Sequence, residues 1–143
     1  MTDTSKQTLI DGLNEDLGFE YAAIITYRTY ASLVRGPHRQ ELRNFFASEI
    51  PDELAHAEML ADKITALGGM PTTMAKPVKV TDDAKQMLQN AFEDEAATIK
   101  RYIARRKQAE DLEEIGLAVE LDTLIADETK HRDELRLILD RWS

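Results

Sequence analysis

Apolar residues recur every three or four positions along almost the whole chain, the period of a helix with one buried face. No segment alternates with the period of two that marks a half-buried strand. Four stripes result. The first reads Leu13, Leu17, Glu20, Ile24, Tyr27, Ala31, Val34, and the second Leu42, Phe46, Glu49, Glu53, His56, Leu60, Leu67. The third is Leu88, Phe92, Glu95, Ile99, Tyr102, and the fourth Leu117, Leu121, Leu124, Glu128, His131, Leu135, Ile138, Trp142. Thr4-x-x-Gln7 reads as a capping box opening the first helix. Gly36-Pro37 ends that helix and starts the second. Thr81, Asp82 and Asp83 suit the start of the third helix, and Asp111-x-x-Glu114 reads as a capping box before the fourth. Residues 68–80 carry two glycines and two prolines and form a connection. It is longer than neighbouring helices need. Extended, it reaches ~43 Å at ~3.3 Å per residue, which predicts a crossover running along the bundle. The expected fold is all-α: a single domain over 1–143, an antiparallel four-helix bundle with one long crossover between the second and third helices.

Each stripe is apolar at its ends and polar at one level. Glu20 is followed 33 positions later by Glu53 of Glu53-x-x-His56, and Glu95 is followed 33 positions later by Glu128 of Glu128-x-x-His131. The second set lies 75 residues after the first, member by member. The midpoint of each 33-residue interval falls on a turn signal, at Gly36-Pro37 and at Asp111-Leu112. In an antiparallel hairpin, residues equidistant from the turn share a height, here ~24 Å from it at ~1.5 Å rise per residue. All six side chains can therefore meet in one layer. Positions i and i+3 share a helix face, so each Glu-x-x-His points both groups the same way. Four carboxylates in one core layer would repel unless paired or bound to metal. Two divalent cations would balance them, and a carboxylate–imidazole set suits iron(II), manganese(II) or zinc(II).

Tyr27 and Tyr102 each lie seven residues after the glutamate of their own helix. They read as phenols hydrogen-bonded across the bundle to a ligand carboxylate. Glu49 breaks the repeat, because its counterpart 75 residues on is Leu124. It is expected to guide iron inward or to pair with a nearby basic group or water. Pro51, inside the second helix, is expected to kink or bulge it. Lys100, Arg101, Arg105, Arg106 and Lys107 read as cations suited to the end of the third helix. His38 reads as exposed beside the turn, and Trp142 as a plug at the end of the bundle.

Composition narrows the chemistry. The 143 residues contain no cysteine, which excludes disulfides, thiolate sites and iron–sulfur clusters. The net charge of −9 argues against a nucleic-acid partner. No apolar run reaches the ~18–20 residues of a membrane span, and the first eight residues lack a signal-peptide pattern. The expected location is the cytoplasm.

The order Glu, Glu-x-x-His, Glu, Glu-x-x-His over four helices resembles the ferritin-like di-iron carboxylate family, for which the handling of two metals by this arrangement is general. The resemblance extends over essentially the whole chain and is nearest to the bacterioferritin and rubrerythrin branches. It implies Glu20, Glu53, His56, Glu95, Glu128 and His131 as ligands of two iron ions, with Glu53 and Glu128 bridging. It also implies oxidation of Fe(II) by dioxygen or peroxide, in iron homeostasis or detoxification. Where bacterioferritin places a haem-ligating methionine the chain has Leu54, so no haem is expected. Where rubrerythrin places a further glutamate the chain has Thr98, and the cysteine-rich rubredoxin domain of that branch has no counterpart. The chain ends twelve residues after His131, leaving no room for the fifth helix of cage-forming ferritins. A homodimer is therefore expected over a 24-subunit shell. The basic DNA-binding tail of the mini-ferritins is absent. Two other readings stay open: a rubrerythrin-like peroxidase or other di-iron oxidase, and a non-enzymatic helical bundle holding zinc or manganese.

Overall fold

The computed structural model describes residues 3–142. Within them the chain forms four helices, α1 (Asp3–Leu33), α2 (Arg39–Ala66), α3 (Ala84–Asp111) and α4 (Ile115–Leu139), and no strand. α1 packs on α2 and α3 on α4 as two hairpins, which meet through α1 against α3 and α2 against α4. Among the described residues no helix is long and apolar enough to cross a membrane.

Several boundaries differ from the sequence signals. Thr4 is already inside α1, where its carbonyl accepts from the Thr8 hydroxyl, so it is not the cap. α2 starts at Arg39 rather than at Pro37. Asp111 is the last residue of α3, and Glu114 precedes α4 without a side-chain capping bond. The start of α3 is capped by Asp83, whose carboxylate accepts from the Gln86 amide at 2.9 Å. α2 runs through Pro51 without a bulge. Pro51 faces solvent, where water can take up the carbonyl that the missing N–H leaves free.

α2 ends in a Schellman motif: Gly69 donates to the Ile64 carbonyl and Gly68 to that of Thr65. Gly68 holds φ at +90°, a left-handed value that glycine adopts without steric cost. The crossover then runs beside α1 in the same direction. Asn14 clamps it, donating to the Met70 carbonyl at 3.0 Å and accepting from the Thr72 amide at 2.8 Å. Further along, the Lys76 amide donates to the Gly18 carbonyl at 3.0 Å, and the Tyr30 hydroxyl donates to the Lys79 carbonyl at 2.6 Å. Gly18 permits this approach, since a Cβ there would lie 3.2 Å from the Met74 carbonyl oxygen.

Two apolar cores bracket one polar layer. One is aliphatic, built around Leu9, Leu13, Leu17, Leu60, Ile64 and Leu121. The other is partly aromatic, built around Tyr27, Tyr30, Phe46, Met87, Leu88 and Leu135, with Trp142 packed on its end. Burying each large apolar side chain contributes roughly 1.5–3 kcal/mol, and this offsets the cost of the charged layer between the cores. The aliphatic end also holds a buried ion pair. Arg105 grips Asp16 with two hydrogen bonds, 2.8 and 3.1 Å long. Arg105 is thus a core residue and not one of the surface cations. Its guanidinium crosses where Gly12 has no side chain: a Cβ at Gly12 would lie 2.0 Å from Arg105 Nη1.

Candidate metal centre

The 3.6-residue turn of each helix brings Glu20, Glu53, His56, Glu95, Glu128 and His131 into the layer between the cores, all of them buried. They form two overlapping clusters. In one, Glu20, Glu53, His56 and Glu128 each offer a ligand atom, all within 4.8 Å of one another. In the other, Glu53, Glu95, Glu128 and His131 do the same. Glu53 and Glu128 belong to both. Nδ1 of His56 lies 2.9 Å from a Glu128 oxygen and 3.8 Å from a Glu20 oxygen. Nδ1 of His131 lies 3.3 Å from Glu53, 3.8 Å from Glu95 and 3.9 Å from Glu128.

Two reciprocal sets of hydrogen bonds hold these groups. The Tyr27 hydroxyl donates to Glu95 at 2.6 Å, and the Tyr102 hydroxyl donates to Glu20. Both phenols are pushed well above their ordinary pKa by burial and by the neighbouring carboxylates, so they remain donors. Nε2 of His56 lies 3.0 Å from an Asp127 oxygen, and Nε2 of His131 lies 3.0 Å from an Asp52 oxygen. A proton on Nε2 leaves the Nδ1 lone pair free for a metal ion, whereas without metal a second proton on Nδ1 would face the carboxylates. Asp52 and Asp127 were not among the sequence-based candidates. The signal was present: Asp-Glu-x-x-His, not Glu-x-x-His, is the unit that recurs 75 residues on.

Glu49 lies outside both clusters. One of its oxygens lies 3.0 Å from His131 Nε2, as close as the Asp52 oxygen. Its counterpart Leu124 is buried and apolar.

Protonation follows from crowding. Burial, then the charge of Glu20 and a hydrogen bond to it, push Glu53 well above the usual carboxylate range. For Glu20, burial acts upward, but hydrogen bonds with Glu53, His56 and Tyr102 outweigh it and hold the group low. Burial raises Glu95, with His131 and Tyr27 pulling the other way. Burial alone would lower both histidines. Glu20 and Asp127 outweigh it at His56, and Glu49, Glu53 and Glu95 do so at His131, so both rise.

The residues fit a pair of divalent cations by a test internal to the structure. Glu20, Glu53, Glu95 and Glu128 each bury one oxygen without a hydrogen-bond partner, and His56 and His131 each bury Nδ1 in the same condition. An unsatisfied buried polar atom costs roughly 1–3 kcal/mol; shared protons can pair His56 Nδ1 with Glu128 at 2.9 Å and His131 Nδ1 with Glu53 at 3.3 Å, and a pair of cations would satisfy all six atoms at once. The donor set, oxygen with imidazole nitrogen and no sulfur, is that of iron(II), manganese(II) or zinc(II).

The family model for the ferritin-like domain matches residues 10–143. A bacterioferritin of Streptomyces coelicolor is 32% identical over 133 residues, covering 92% of this chain and 80% of that protein. Among solved structures, a ferritin-like, diiron-carboxylate protein of Bacillus anthracis is 49% identical, with a TM-score of 0.94, covering 97% of this chain and 99% of the other. The bacterioferritin of Desulfovibrio desulfuricans, solved with its diiron site in different catalytic states, is 25% identical with a TM-score of 0.86, covering 96% and 81%.

Proposed function

The chain belongs to the ferritin-like domain family, and on that premise we propose that it is a di-iron ferroxidase. The observation that carries this is the set of six inward-facing donor atoms without partners. Glu20 and His56 would hold one ion and Glu95 and His131 the other, and Glu53 and Glu128, common to both clusters, would serve both. Fe(II) is the substrate. Two Fe(II) give up two electrons. With two protons these reduce hydrogen peroxide to two waters, or dioxygen to hydrogen peroxide.

The chain's own residues prepare the site. Tyr27 and Tyr102 fix the orientation of Glu95 and Glu20. Asp52 and Asp127 fix the histidine tautomers, the usual role of a carboxylate behind a ligating imidazole. The cores on either side exclude bulk water and sharpen the electrostatics. Metal would compete with protons at Glu53, His56 and His131, whose pKa values are all raised.

The same reading places the protein in the cytoplasm as a single ferritin-like domain forming a homodimer, without haem, because Leu54 stands where a haem-ligating methionine would be. The deciding experiment is anaerobic Fe(II) titration of metal-free protein followed by pulses of dioxygen and then peroxide. Saturation near two irons per chain and rapid oxidation are expected. Binding of less than about one metal per chain, with all six ligands intact, would overturn the reading.

A further inference from the structure

On the α1–α3 side of the ligand layer lies a partly open cavity of about 180 Å³. Its floor includes Glu53, Glu95 and Glu128, and its walls are largely small or apolar: Phe19, Ala22, Ala23, Ala91, Ala97 and Pro77. The lining repeats with the 75-residue offset, as in Ala22 with Ala97 and Glu53 with Glu128. The cavity therefore straddles the axis that relates the two hairpins. The repeat breaks at Phe19 with Asp94, at Ala23 with Thr98 and at Thr26, whose counterpart is Arg101.

Arg101 makes no ion pair with a described residue, and the charges of Asp16 and Glu20 act on it from longer range. Its Nη2 donates to the Thr98 hydroxyl at 2.7 Å, and its guanidinium carbon stacks 3.6 Å from the Phe19 ring centre. Its Nε–H is buried with no hydrogen-bond acceptor. The other cation at the cavity, Lys79, is already engaged by Asp94 at 3.0 Å and Glu93 at 3.4 Å.

We propose that this cavity binds a small organic monocarboxylate, its carboxylate on Arg101 and its apolar body against the alanine walls above Glu53 and Glu128. The guanidinium fork matches a carboxylate in shape and charge, and it would repel a metal ion entering on this side. A neutral oxidant would need neither the charge nor the apolar walls. An engineered cavity of about 150 Å³ accepts benzene, so one ring or a short chain fills this one. The inference rests on the di-iron reading in one respect. The floor carboxylates repel an anion until cations balance them, so the anion binds more tightly to metal-loaded protein and tightens metal binding by the same factor.

The test is calorimetric titration of benzoate into protein loaded with redox-inert zinc(II), with the zinc titration read first. Two variants are compared, Arg101→Gln and Ala97→Leu. The second fills an exposed wall position while leaving Arg101 and the six ligands in place, and circular dichroism checks that both fold. One benzoate per chain is expected, weakened by about tenfold or more in each variant. Absence of saturable binding overturns the inference. Binding unaffected by Arg101→Gln does so too, and so does binding unaffected by Ala97→Leu, which would put the anion on the outer surface. Failure to bind zinc would overturn the metal reading alone. Benzoate would then be titrated into metal-free protein, where Arg101 and the walls are unchanged and the same two variants decide.

Discussion

The cluster around His56 and the cluster around His131 are built from one sequence unit, yet they are not equivalent. Each has a tyrosine donating to its terminal glutamate and an aspartate behind its histidine. Beside the two histidines they differ at one position. Beside His131 stands Glu49, 3.0 Å from Nε2, whereas the corresponding Leu124 near the other cluster is apolar. Nδ1 of His131 also has three carboxylates within 3.9 Å, against two for His56. The repeat thus fixes the donor set, and a single departure from it sets the local charge. The His131 half is the more negative, so we expect the first divalent cation to settle there.

The most severe way to break the comparison is to remove what the halves share. Glu53→Ala or Glu128→Ala should abolish tight binding of both metals at once, since each residue belongs to both clusters. Retention of one tightly bound ion by either variant, read by metal stoichiometry after dialysis, would contradict the shared role.

A milder disturbance separates the halves. Asp127→Asn should weaken the ion at His56, and Asp52→Asn the ion at His131, each by about 10–100-fold, the usual cost of losing the carboxylate behind a ligating imidazole. Cobalt(II) optical titration would show one of two binding steps displaced in each variant. Displacement of both steps together would mean that the halves do not act separately.

Protonation offers a test without mutation. In metal-free protein Glu53, Glu95, His56 and His131 all have raised pKa values, so the folded chain binds more protons than the unfolded one. Their contribution to stability is full below the unfolded values and is lost as pH rises. The loss begins above the ordinary carboxyl value of 4.5 for the two glutamates and above 6.5 for the histidines. Glu20, which is held low, works in the opposite sense and only toward acid. Metal uptake releases those protons, so the stabilisation from metal grows with pH. Melting curves from about pH 6.5 to 8.5 should therefore show the metal-free protein losing stability while the gap to the zinc-loaded protein widens. A constant gap would contradict the proton count.

The smallest expected effect sharpens the comparison most. Glu49→Gln keeps size and removes one charge, and it should weaken only the His131 step, by no more than about fivefold. An equal change in both steps would place Glu49 in general charge balance and not beside one ion.

The helices and the level at which the six buried acids and histidines meet are legible in the chain because a carboxylate on an apolar stripe is conspicuous, and because the repeat places each of them at a turn-symmetric height. Asp52 and Asp127 were hidden by their surroundings. Asp52 keeps a side-chain exposure of 57% and reads as an ordinary surface acid until the fold sets it against a histidine on another helix. Arg105 was hidden for a related reason. Its burial depends on the missing side chain of Gly12 and on Asp16, both far away in sequence. Helical periodicity ranks positions by the character of their own residue and cannot register a vacancy across the bundle. The capping signals at Thr4 and Asp111 failed because Thr4 lies inside α1 and Asp111 is the last residue of α3, not the residue before α4.

The crossover strapped along α1 by Asn14, Gly18 and Tyr30 has a kinetic meaning. Each shared glutamate comes from a different hairpin, so neither hairpin can hold a metal pair without the other. Two separate hairpins docking about the same axis would assemble this site at a rate set by how often they meet. A covalent tether makes that meeting intramolecular, at an effective concentration of order millimolar. The site then forms as readily in a dilute cell extract as in a concentrated one, and scarcity of the protein does not become scarcity of the metal centre.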